Sequence, residues 1–503
     1  MILDLLGNGS PSRVAVAVSG GGPVVTYDRL RQQVDALASQ LYKLGLGRGD
    51  RIAMALPNGL EMIVSFLAAS TVGAAAPLNP AYRLDEFKFY LEDTGARALI
   101  VPPTGSDEAR AAAGDQTLII EADLDDAGQV RFSSSGMAGA MTGSPRAGDY
   151  PNDDDTALVL HTSGTTSRPK RVPLSHTNLK ISARNVAETY QLTAEDVSLC
   201  VMPLFHVHGL VASTLATLFT GGTVIAPPRF NPLSFWSTVR DHRVSWYSAV
   251  PTIHQVLLAR SRGGARPAGA EQLRFIRSCS AALPPQMMAD LEERFGAPVL
   301  EAYGMTEAAH QMASNPLPPG ARKPGSVGRG TAVGIAILDE AGNPLLAGAT
   351  GEVSIQGPNV FSGYEGNAEA TAASFSHGWF RTGDQGYLDN DGYLTLVGRI
   401  KELINRGGEK ISPREIDEAL LTHPAVAEAV CFGVPDRVYG EGVAAAVTLA
   451  GEATEAELIA HCRASLADFK CPTVIYIVEA IPRTATGKIQ RRNVAAEIAK
   501  TPK

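Results

Sequence analysis

The stretch that decides the fold is HTSGTTSRPKR, from His161 to Arg171, which directly follows the strand-like run TALVL. Six small or hydroxylated residues, Thr162 to Ser167, leave main-chain N–H groups accessible, and Lys170 adds a positive charge. Such a loop after a buried strand suits polyphosphate, because N–H groups cradle the oxygens and hydroxyls donate to them. It is not a Walker A loop, since Pro169 stands where that motif requires its second glycine.

The regions around this loop alternate helix-like and strand-like segments. Tyr27–Lys43 has apolar residues at helical spacing, and Glu61–Ala75 is a second helix candidate. Ile52–Leu56 and Ala96–Val101 have the apolar character of strands. This alternation predicts βαβ units and parallel sheet. From Gly351 onward, short apolar runs between glycine-rich turns predict a β-rich section with hairpins.

The domain organisation follows from length and from two changes of composition. A chain of 503 residues predicts about three domain-sized units. Ser133–Asp155 is rich in Ser, Gly, Pro and Asp and predicts a surface linker. A charged, turn-rich segment near Gly398 precedes helix-like and strand-like runs that predict a small α+β unit. We therefore expect an N-terminal domain over residues 1–397 and a C-terminal domain over residues 398–503.

Composition excludes several classes of protein. A hydrophobic content of 45% with 19% charged residues excludes a disordered chain. The net charge of −8 disfavours a nucleic-acid partner, and the lack of a long apolar run disfavours an integral membrane segment. The five cysteines are scattered without a C-x-x-C pattern, which predicts reduced thiols. With no signal-peptide pattern at the N-terminus, we expect a cytoplasmic location.

Two acidic motifs add to the phosphate-binding loop. In EAYGMTE, Glu307 is a candidate Mg²⁺ ligand beside phosphate oxygens, and Tyr303 could stack on a base. In WFRTGDQG, Asp384 lies in a glycine-flanked turn and could accept hydrogen bonds from ribose hydroxyls. Taken alone, each motif is more often a simple turn than a binding site.

A second lysine motif lies near the C-terminus. In PRTATGKIQRR, the turn Thr-Ala-Thr-Gly precedes Lys488 and could aim its ammonium group. Taken alone, the segment is more often a solvated basic tail. The functional interpretation of this segment is supported by the other motifs that occur along the same chain.

In this order and at this spacing, these segments resemble the acyl-adenylate-forming superfamily of acyl-CoA synthetases, peptide-synthetase adenylation domains and luciferases. The matching motifs run from TYDRL (Thr26–Leu30) to TGKIQRR and cover nearly the whole chain. The resemblance implies an α/β fold. Its large N-terminal domain would have two sheet–helix subdomains plus a small β-barrel, followed by a mobile α+β C-terminal domain.

The resemblance also implies an activity with two half-reactions. A small-molecule carboxylic acid attacks the α-phosphate of MgATP, which gives acyl-AMP and pyrophosphate. The thiol of coenzyme A then displaces AMP and forms an acyl-CoA thioester. The implied co-substrates are therefore ATP and coenzyme A, with Mg²⁺ as cofactor.

Roles for individual residues follow by motif from the resemblance. The β- and γ-phosphates would be held by Thr162, Ser163, Gly164, Thr165, Thr166 and Lys170. The adenine would be framed by Ser280, Ala281, Ala282, Glu301, Ala302 and Tyr303. The α-phosphate would contact Thr306, the Mg²⁺ would bind Glu307, and the ribose would be held by Asp384 and Arg399. Lys488 would bridge the acyl carboxylate and the α-phosphate, Lys401 would be the hinge, and the pantetheine tunnel would face Gly407, Gly408 and Glu409.

Four stretches are closest to the oxalyl-CoA synthetase branch: FHVHGL, WYSAVPTIHQ, RFIRSCSAAL and EAYGMTEAAHQMASNPLPPG. A dicarboxylate needs hydrogen-bond donors for its second carboxylate, which a fatty-acyl tunnel would lack. We expect these donors to be His208, Ser280 and His310, with His206 and Arg277 behind them. The alternative is structural: His206 could pair with Phe205, and Arg277 could be a satisfied structural cation.

Other substrates and one departure stay open at this stage. The malonyl-CoA synthetase branch shares FHxHGL but usually has arginine where Ala302 stands, and a medium- or long-chain fatty acid is a further alternative. A nucleotide-binding protein with degenerate activity is the alternative of a different class. The family's loop normally ends Lys-Gly, whereas this loop ends Lys170-Arg171. Arg171 could crowd the phosphate site or add a phosphate contact, and we expect Arg171→Gly to change ATP affinity more than acid selectivity.

Overall fold

A computed structural model describes residues 1–134, 150–162, 169–261, 263–484 and 489–498. The chain divides into two compact units, Met1–Gly334 with Gln356–Phe375 and Ile335–Ile355 with Ser376–Lys503. Most of the predicted surface linker, residues 135–149, lies outside the described residues. The domain boundary between residues 397 and 398 stays a prediction.

The first part of the chain alternates strands and helices. In chain order the elements are β1 (Val14–Ala17), β2 (Val24–Thr26), α1 (Tyr27–Lys43), β3 (Arg51–Met54), α2 (Leu60–Val72), β4 (Ala74–Pro77), α3 (Leu84–Thr94), β5 (Ala96–Val101), α4 (Asp107–Ala112), β6 (Leu118–Leu124), β7 (Val130–Ser134), β8 (Thr156–Thr162) and β9 (Lys170–Ser175).

The alternation continues through the middle of the chain. The next elements are α5 (His176–Thr189), β10 (Val197–Leu199), α6 (Ala216–Phe219), β11 (Thr223–Ile225), α7 (Phe235–Asp241), β12 (Trp246–Ala249), α8 (Pro251–Arg260), β13 (Phe275–Ser278), α9 (Pro285–Phe295), β14 (Val299–Met305), β15 (His310–Ser314) and β16 (Arg329–Gly330). A π-helix, His208–Leu215, precedes α6.

Strands are more frequent in the last part of the chain, as the sequence predicts. Its elements are β17 (Gly334–Leu338), β18 (Gly351–Gln356), α10 (Ala368–Ser374), β19 (Phe375–Ser376), β20 (Trp379–Leu388), β21 (Leu394–Arg399), β22 (Ile404–Arg406), β23 (Glu409–Ile411), α11 (Pro413–Leu421), β24 (Val426–Asp436), β25 (Gly440–Leu449), α12 (Glu455–Ser465), β26 (Val474–Ile477) and α13 (Arg491–Ile498).

Two large sheets form the first unit and confirm the α/β class. One has the strand order β7-β6-β5-β3-β4-β8-β9, with parallel pairing from β6 to β8 and an antiparallel strand at each edge. The other has the order β16-β15-β14-β13-β12-β10-β11-β1-β2 and is parallel from β14 to β1. Helices pack beside these parallel strands, as crossover connections require.

Helix boundaries follow from local chemistry. Helix α1 begins after Thr26, whose side chain accepts a hydrogen bond from the Arg29 N–H at 3.4 Å. Helix α2 ends at Val72, three residues earlier than the sequence suggests, and β4 then begins at Ala74. A Cβ on the intervening Gly73 would lie 2.5 Å from the Asp50 carbonyl oxygen, so the chain turns here only because this residue is glycine.

The second unit contains two five-stranded sheets. One joins β17-β18-β20-β19, with β21 paired to β20, in the region where the sequence predicts β-rich structure. The other joins β23-β22-β25-β24, with β26 parallel to β25, and its core packs against α11 and α12. The predicted α+β character of the last hundred residues is therefore confirmed. In the part of the chain that the structure describes, helices fall short of the length and apolar character needed to cross a bilayer.

The carboxyl ends of the parallel strands carry the predicted motifs. Strand β8 ends at Thr162, β13 ends two residues before Ser280, and β14 ends directly before Thr306. In open α/β sheets, ligands bind beyond the carboxyl ends of the strands. Topology therefore positions these residues for ligand binding.

Candidate active site

The described ends of the predicted phosphate-binding loop are the paired residues Thr162 and Lys170, opposite each other on β8 and β9. The loop residues Ser163, Gly164, Thr165 and Thr166 lie outside the described residues. The Lys170 ammonium nitrogen lies 4.3 Å from the centroid of the Tyr364 ring, within the range of a cation–π interaction. Lys170 is thus held against an aromatic face at the loop's exit.

Tyr364 also contacts the candidate metal ligand. Its hydroxyl donates a hydrogen bond to Glu307 Oε1 at 2.9 Å, and Glu307 is buried. The Phe361 N–H donates to the Glu307 carbonyl oxygen at 2.8 Å, which fixes the main chain of the same residue. One tyrosine therefore connects the lysine and the carboxylate predicted to act on the phosphates. Sequence reasoning missed Tyr364, since nothing in FSGYEG distinguishes it from an ordinary turn residue.

The predicted adenine-framing residues come from two adjacent strand ends. The Leu283 N–H donates to Glu301 Oε1 at 3.0 Å, so the buried Glu301 side chain fastens the turn that holds Ser280, Ala281 and Ala282. Ala302 and Tyr303 follow Glu301 on β14 and are buried as well. The structure brings these two motifs together.

Arg277 is the centre of a buried polar cluster. It lies on β13, is fully buried, and donates to the Tyr190 hydroxyl at 2.8 Å and the Ser248 hydroxyl at 2.9 Å. It also donates to Gln311 Oε1 at 3.0 Å. Tyr190 directly follows helix α5, Ser248 lies on β12 and Gln311 lies on β15, so the three partners meet only in the folded protein.

Two of the predicted acid ligands face the same guanidinium. His208 Nε2 lies 3.5 Å from Arg277 NH1, and His310 Nδ1 lies 3.4 Å from Arg277 NH2. His208 Nε2 also lies 2.6 Å from the Ser248 hydroxyl, which accepts from Arg277 and can donate to this nitrogen. We therefore assign the ring nitrogens nearest Arg277 as acceptors, with the proton of each histidine on the other nitrogen. His208 Nδ1–H then donates to the Ser280 hydroxyl at 3.0 Å, and His310 Nε2 lies 4.0 Å from Cys279 Sγ. The predicted trio is thereby brought together.

Arg277 is a buried cation with neutral neighbours. Among the described residues no carboxylate forms an ion pair with it, and its contacts are hydroxyl, amide and imidazole groups. Burial acts to lower the pKa of Arg277, but Tyr190 and Cys279 outweigh it, so the pKa is raised. The same burial raises the pKa of Tyr190, which therefore stays protonated. The cluster has a net positive charge.

Backbone geometry at this cluster is unusual. Ser280 has φ 73°, Ala309 has φ 51° and His310 has φ 125°, values that non-glycine residues rarely adopt. His208 opens the π-helix, a conformation that is rare and frequent at functional sites. Strained backbone of this kind persists where the surrounding structure holds a side chain in a required place.

The remaining acid candidate, His206, is half-buried, and its ring centroid lies 4.8 Å from that of Phe205. This contact matches the structural pair considered from the sequence. Its role as an acid ligand stays a prediction.

The second unit holds the predicted ribose and hinge residues. Asp384 and Arg399 are opposite each other on β20 and β21, and their side chains form an ion pair of 2.7 Å. Lys401 is exposed in a short 3-10 helix, Ile400–Glu402, directly after β21. Gly407 and Gly408 make the turn between β22 and β23 with positive φ, and the exposed Glu409 opens β23. Lys488 lies outside the described residues.

Family comparisons give two matches that together span most of the chain. Residues 7–365 match the family described as AMP-binding enzyme. Residues 415–488 match the AMP-binding enzyme C-terminal domain. The predicted superfamily is thus confirmed.

Three similar proteins are full-length matches. A probable CoA ligase of Humulus lupulus, CCL9, is 50% identical over 96% of this chain and 93% of its own length. The oxalate–CoA ligase of Arabidopsis thaliana is 47% identical over 100% of this chain and 98% of its own. The oxalate–CoA ligase of Saccharomyces cerevisiae is 45% identical over 97% and 95% of the two chains.

Solved structures show the same fold. ATP-bound MatB from Rhodopseudomonas palustris has a TM-score of 0.88 at 31% identity and covers 99% of this chain and 98% of its own. The o-succinylbenzoate CoA synthetase MenE from Bacillus subtilis, with an acyl-adenylate intermediate, has a TM-score of 0.83 at 29% identity. The match to MenE covers 100% of this chain and 98% of that chain.

Proposed function

This chain belongs to the AMP-binding enzyme family and is an AMP-forming acid–CoA ligase, and we propose that its acid substrate is oxalate. The reaction consumes ATP and coenzyme A and passes through an acyl-AMP intermediate. The observation that carries the substrate proposal is the buried Arg277 cluster, whose charge has only neutral partners among the described residues.

The cluster favours an anionic substrate group over an alkyl chain. Arg277 brings a buried positive charge close to this site, and an apolar tail would supply no counter-charge to it, whereas an anionic group would. A second carboxylate would instead accept from the Ser280 hydroxyl and from His310 Nε2–H. Charge-assisted hydrogen bonds of this type are stronger than neutral ones.

Malonate is the nearest alternative, and it is disfavoured by Ala302. The malonate branch usually has an arginine at this position, whereas Ala302 is small and buried on β14. Two of the similar full-length proteins are named for oxalate. The reading as a degenerate nucleotide-binding protein is not favoured.

For the first half-reaction, we assign the phosphates to Thr162, Lys170 and the loop between them, and the α-phosphate to Thr306. Lys488 would bridge the acid carboxylate and the α-phosphate, which neutralises charge where the two anions meet. In the first unit we assign the adenine to Ser280–Ala282 and Glu301–Tyr303, and in the second unit we assign the ribose to Asp384 and Arg399. Closure of the C-terminal domain through Lys401 would then present Gly407, Gly408 and Glu409 to coenzyme A for thioester formation.

Glu307 suits Mg²⁺ as a single protein ligand. The described residues hold no group of three or more candidate metal ligands, and Mg²⁺ in proteins commonly binds one or two carboxylates plus substrate phosphates. The Tyr364 hydroxyl orients the Glu307 carboxylate at 2.9 Å. When bound, Mg²⁺ would neutralise phosphate charge and orient the phosphates.

The five buried cysteines are free thiols, which supports the proposed cytoplasmic, reducing location. The acidic net charge supports the expectation that nucleic acid is not a partner.

The test is CoA-dependent AMP release with ATP and Mg²⁺ across oxalate, malonate, acetate, octanoate, palmitate and coumarate. We expect the highest kcat/KM with oxalate. Ser280→Ala should lower that value about tenfold, because a hydrogen bond to a carboxylate is lost. The matched control is Ser278→Ala at the end of β13, two residues before Ser280, where the buried hydroxyl has no hydrogen-bond partner. Highest kcat/KM with octanoate or malonate would overturn the oxalate proposal.

A further inference from the structure

Arg171 occupies the position where the resemblance predicts glycine, and its side chain contacts helix α3. Arg171 NH1 donates to the Asp93 carbonyl oxygen, and Nε lies 3.5 Å from Asp93 Oδ2. Successive side chains of a strand point to opposite faces. Lys170 accordingly faces the Tyr364 ring while Arg171 faces Asp93.

Asp93 also holds the other strand at this point. His161 is directly opposite Arg171 in the β8–β9 pair, and its Nε2 lies 3.0 Å from Asp93 Oδ2. Burial lowers the pKa of His161 even though Asp93 acts to raise it, so the neutral ring donates to the carboxylate. One carboxylate therefore fastens both strands next to the phosphate-binding loop.

The main chain of Arg171 is fixed as well. Its carbonyl oxygen accepts a hydrogen bond from the Glu365 N–H at 3.1 Å, and Glu365 pairs with Arg51 at 3.0 Å. Glu365 is adjacent to Tyr364, the residue beneath the Lys170 ammonium. The contacts of Arg171 thus hold β9 in a fixed position against the segment that carries Tyr364.

The side chains involved are largely shielded from water. The exposed fractions are 6% for His161, 15% for Asp93 and 24% for Arg171. Ion pairs with this degree of burial are screened less than surface pairs. The set can therefore hold a strand end against thermal motion more firmly than an exposed pair could.

We propose that Arg171 and Asp93 are positioning residues that hold Lys170 in place for the phosphates of ATP. The proposal rests on the role given to Lys170 under the proposed function. Glycine at this site would let the main chain turn freely. Arginine instead anchors strand β9 through its contacts with Asp93.

The test is steady-state kinetics of Arg171→Gly, Asp93→Asn, the double variant and Arg171→Lys. We expect each of the first two to raise KM for MgATP about fivefold, as for the loss of a partly buried ion pair. The KM of the acid should stay within about twofold, because the Arg277 cluster is untouched. The effect of the double variant should be smaller than the sum of the two single effects, since both single variants remove the Arg171–Asp93 ion pair, and Arg171→Lys should recover part of the loss.

The control is Arg48→Gly, which removes an ion pair to Asp155 at the opposite end of β8. It should leave KM for MgATP unchanged at a comparable melting temperature. Unchanged KM for MgATP in Arg171→Gly, additive effects in the double variant, or equal changes for ATP and acid would overturn the proposal. The assay uses whichever acid the panel prefers, so failure of oxalate as substrate leaves this test intact.

Discussion

Each unit holds an arginine within a polar cluster, Arg277 fully buried and Arg491 with 20% of its side chain exposed, and the two arginines have opposite surroundings. In the second unit, Arg491 pairs with Asp417 at 2.6 Å and with Glu402 at 3.3 Å. In the first unit, Arg277 has hydroxyl, amide and imidazole partners and no carboxylate among the described residues. Although burial acts to lower both pKa values, Asp417 raises that of Arg491, while Tyr190 and Cys279 raise that of Arg277.

The difference supports the proposal that Arg491 is a structural cation and that Arg277 serves an anionic substrate. The charge of Arg491 is neutralised within the chain, so its role is to join α13 to α11 and to the segment after β21. The charge of Arg277 is spread over neutral donors and acceptors, so an incoming carboxylate would supply the missing counter-charge. A buried charge without a counter-charge costs stability, and groups of this kind cluster at functional sites.

The largest effect should follow from removing the paired cation. Arg491→Met leaves the Asp417 carboxylate buried without its partner, and such a loss typically costs about 3–5 kcal/mol. We expect a matching fall in the unfolding free energy from chemical denaturation. The oxalate-to-malonate preference should stay unchanged, and a changed preference would break the distinction between the two arginines.

Removing the cation with neutral partners should affect substrate choice. Arg277→Met deletes the charge and frees the orientation of His208 and His310, so we expect kcat/KM for oxalate to fall about 100-fold, or about 2.7 kcal/mol. The KM for ATP should change far less. Methionine keeps the volume of the buried side chain, so a folded variant is expected. An unaltered kcat/KM for oxalate would assign Arg277 to structure alone.

Tyr364 offers a test at the other end of the site. Tyr364→Phe keeps the ring beneath Lys170 but removes the hydroxyl that orients Glu307. We expect activity to fall about tenfold and half-saturation to require more Mg²⁺, as for loss of one hydrogen bond to a charged group. The matched control is Tyr42→Phe, whose hydroxyl donates to the Thr71 carbonyl oxygen. An unchanged Mg²⁺ dependence in Tyr364→Phe would contradict the link to Glu307.

Sequence reasoning reached the fold and the separate motifs because both depend on local patterns. Helix α1 and strand β5 have the predicted bounds, since their apolar spacing is clear within one element. The loop ending at Lys170 was visible from its composition. The partners of Arg277 and the position of Tyr364 were not, because Ser248, Gln311 and Tyr364 meet their neighbours only through strand order. Contacts between residues distant in sequence leave no periodic signal in one chain.

The smallest expected effect comes from a third group, which is buried near the same sheet and sharpens the contrast between the two arginines. His254 is fully buried, and burial lowers its pKa from 6.5 to about 4, so it folds as the neutral ring. Between these values the unfolded chain binds a proton that the folded chain does not, so stability falls as pH falls. Between pH 6.5 and pH 5.5, the titration of His254 should lower the free energy of unfolding by about 1 kcal/mol.

His254→Leu should remove that share of the pH dependence, measured as the difference between unfolding free energies at the two pH values. Arg277→Met should leave it unchanged, because arginine keeps its proton in both states across this range. His254 is thus buried as the uncharged ring, whereas Arg277 is buried with its charge, which the neighbouring hydrogen-bond acceptors stabilise. If His254→Leu kept the full slope, burial of a neutral ring would not be the cause, and the contrast with Arg277 would have to rest on substrate selectivity alone.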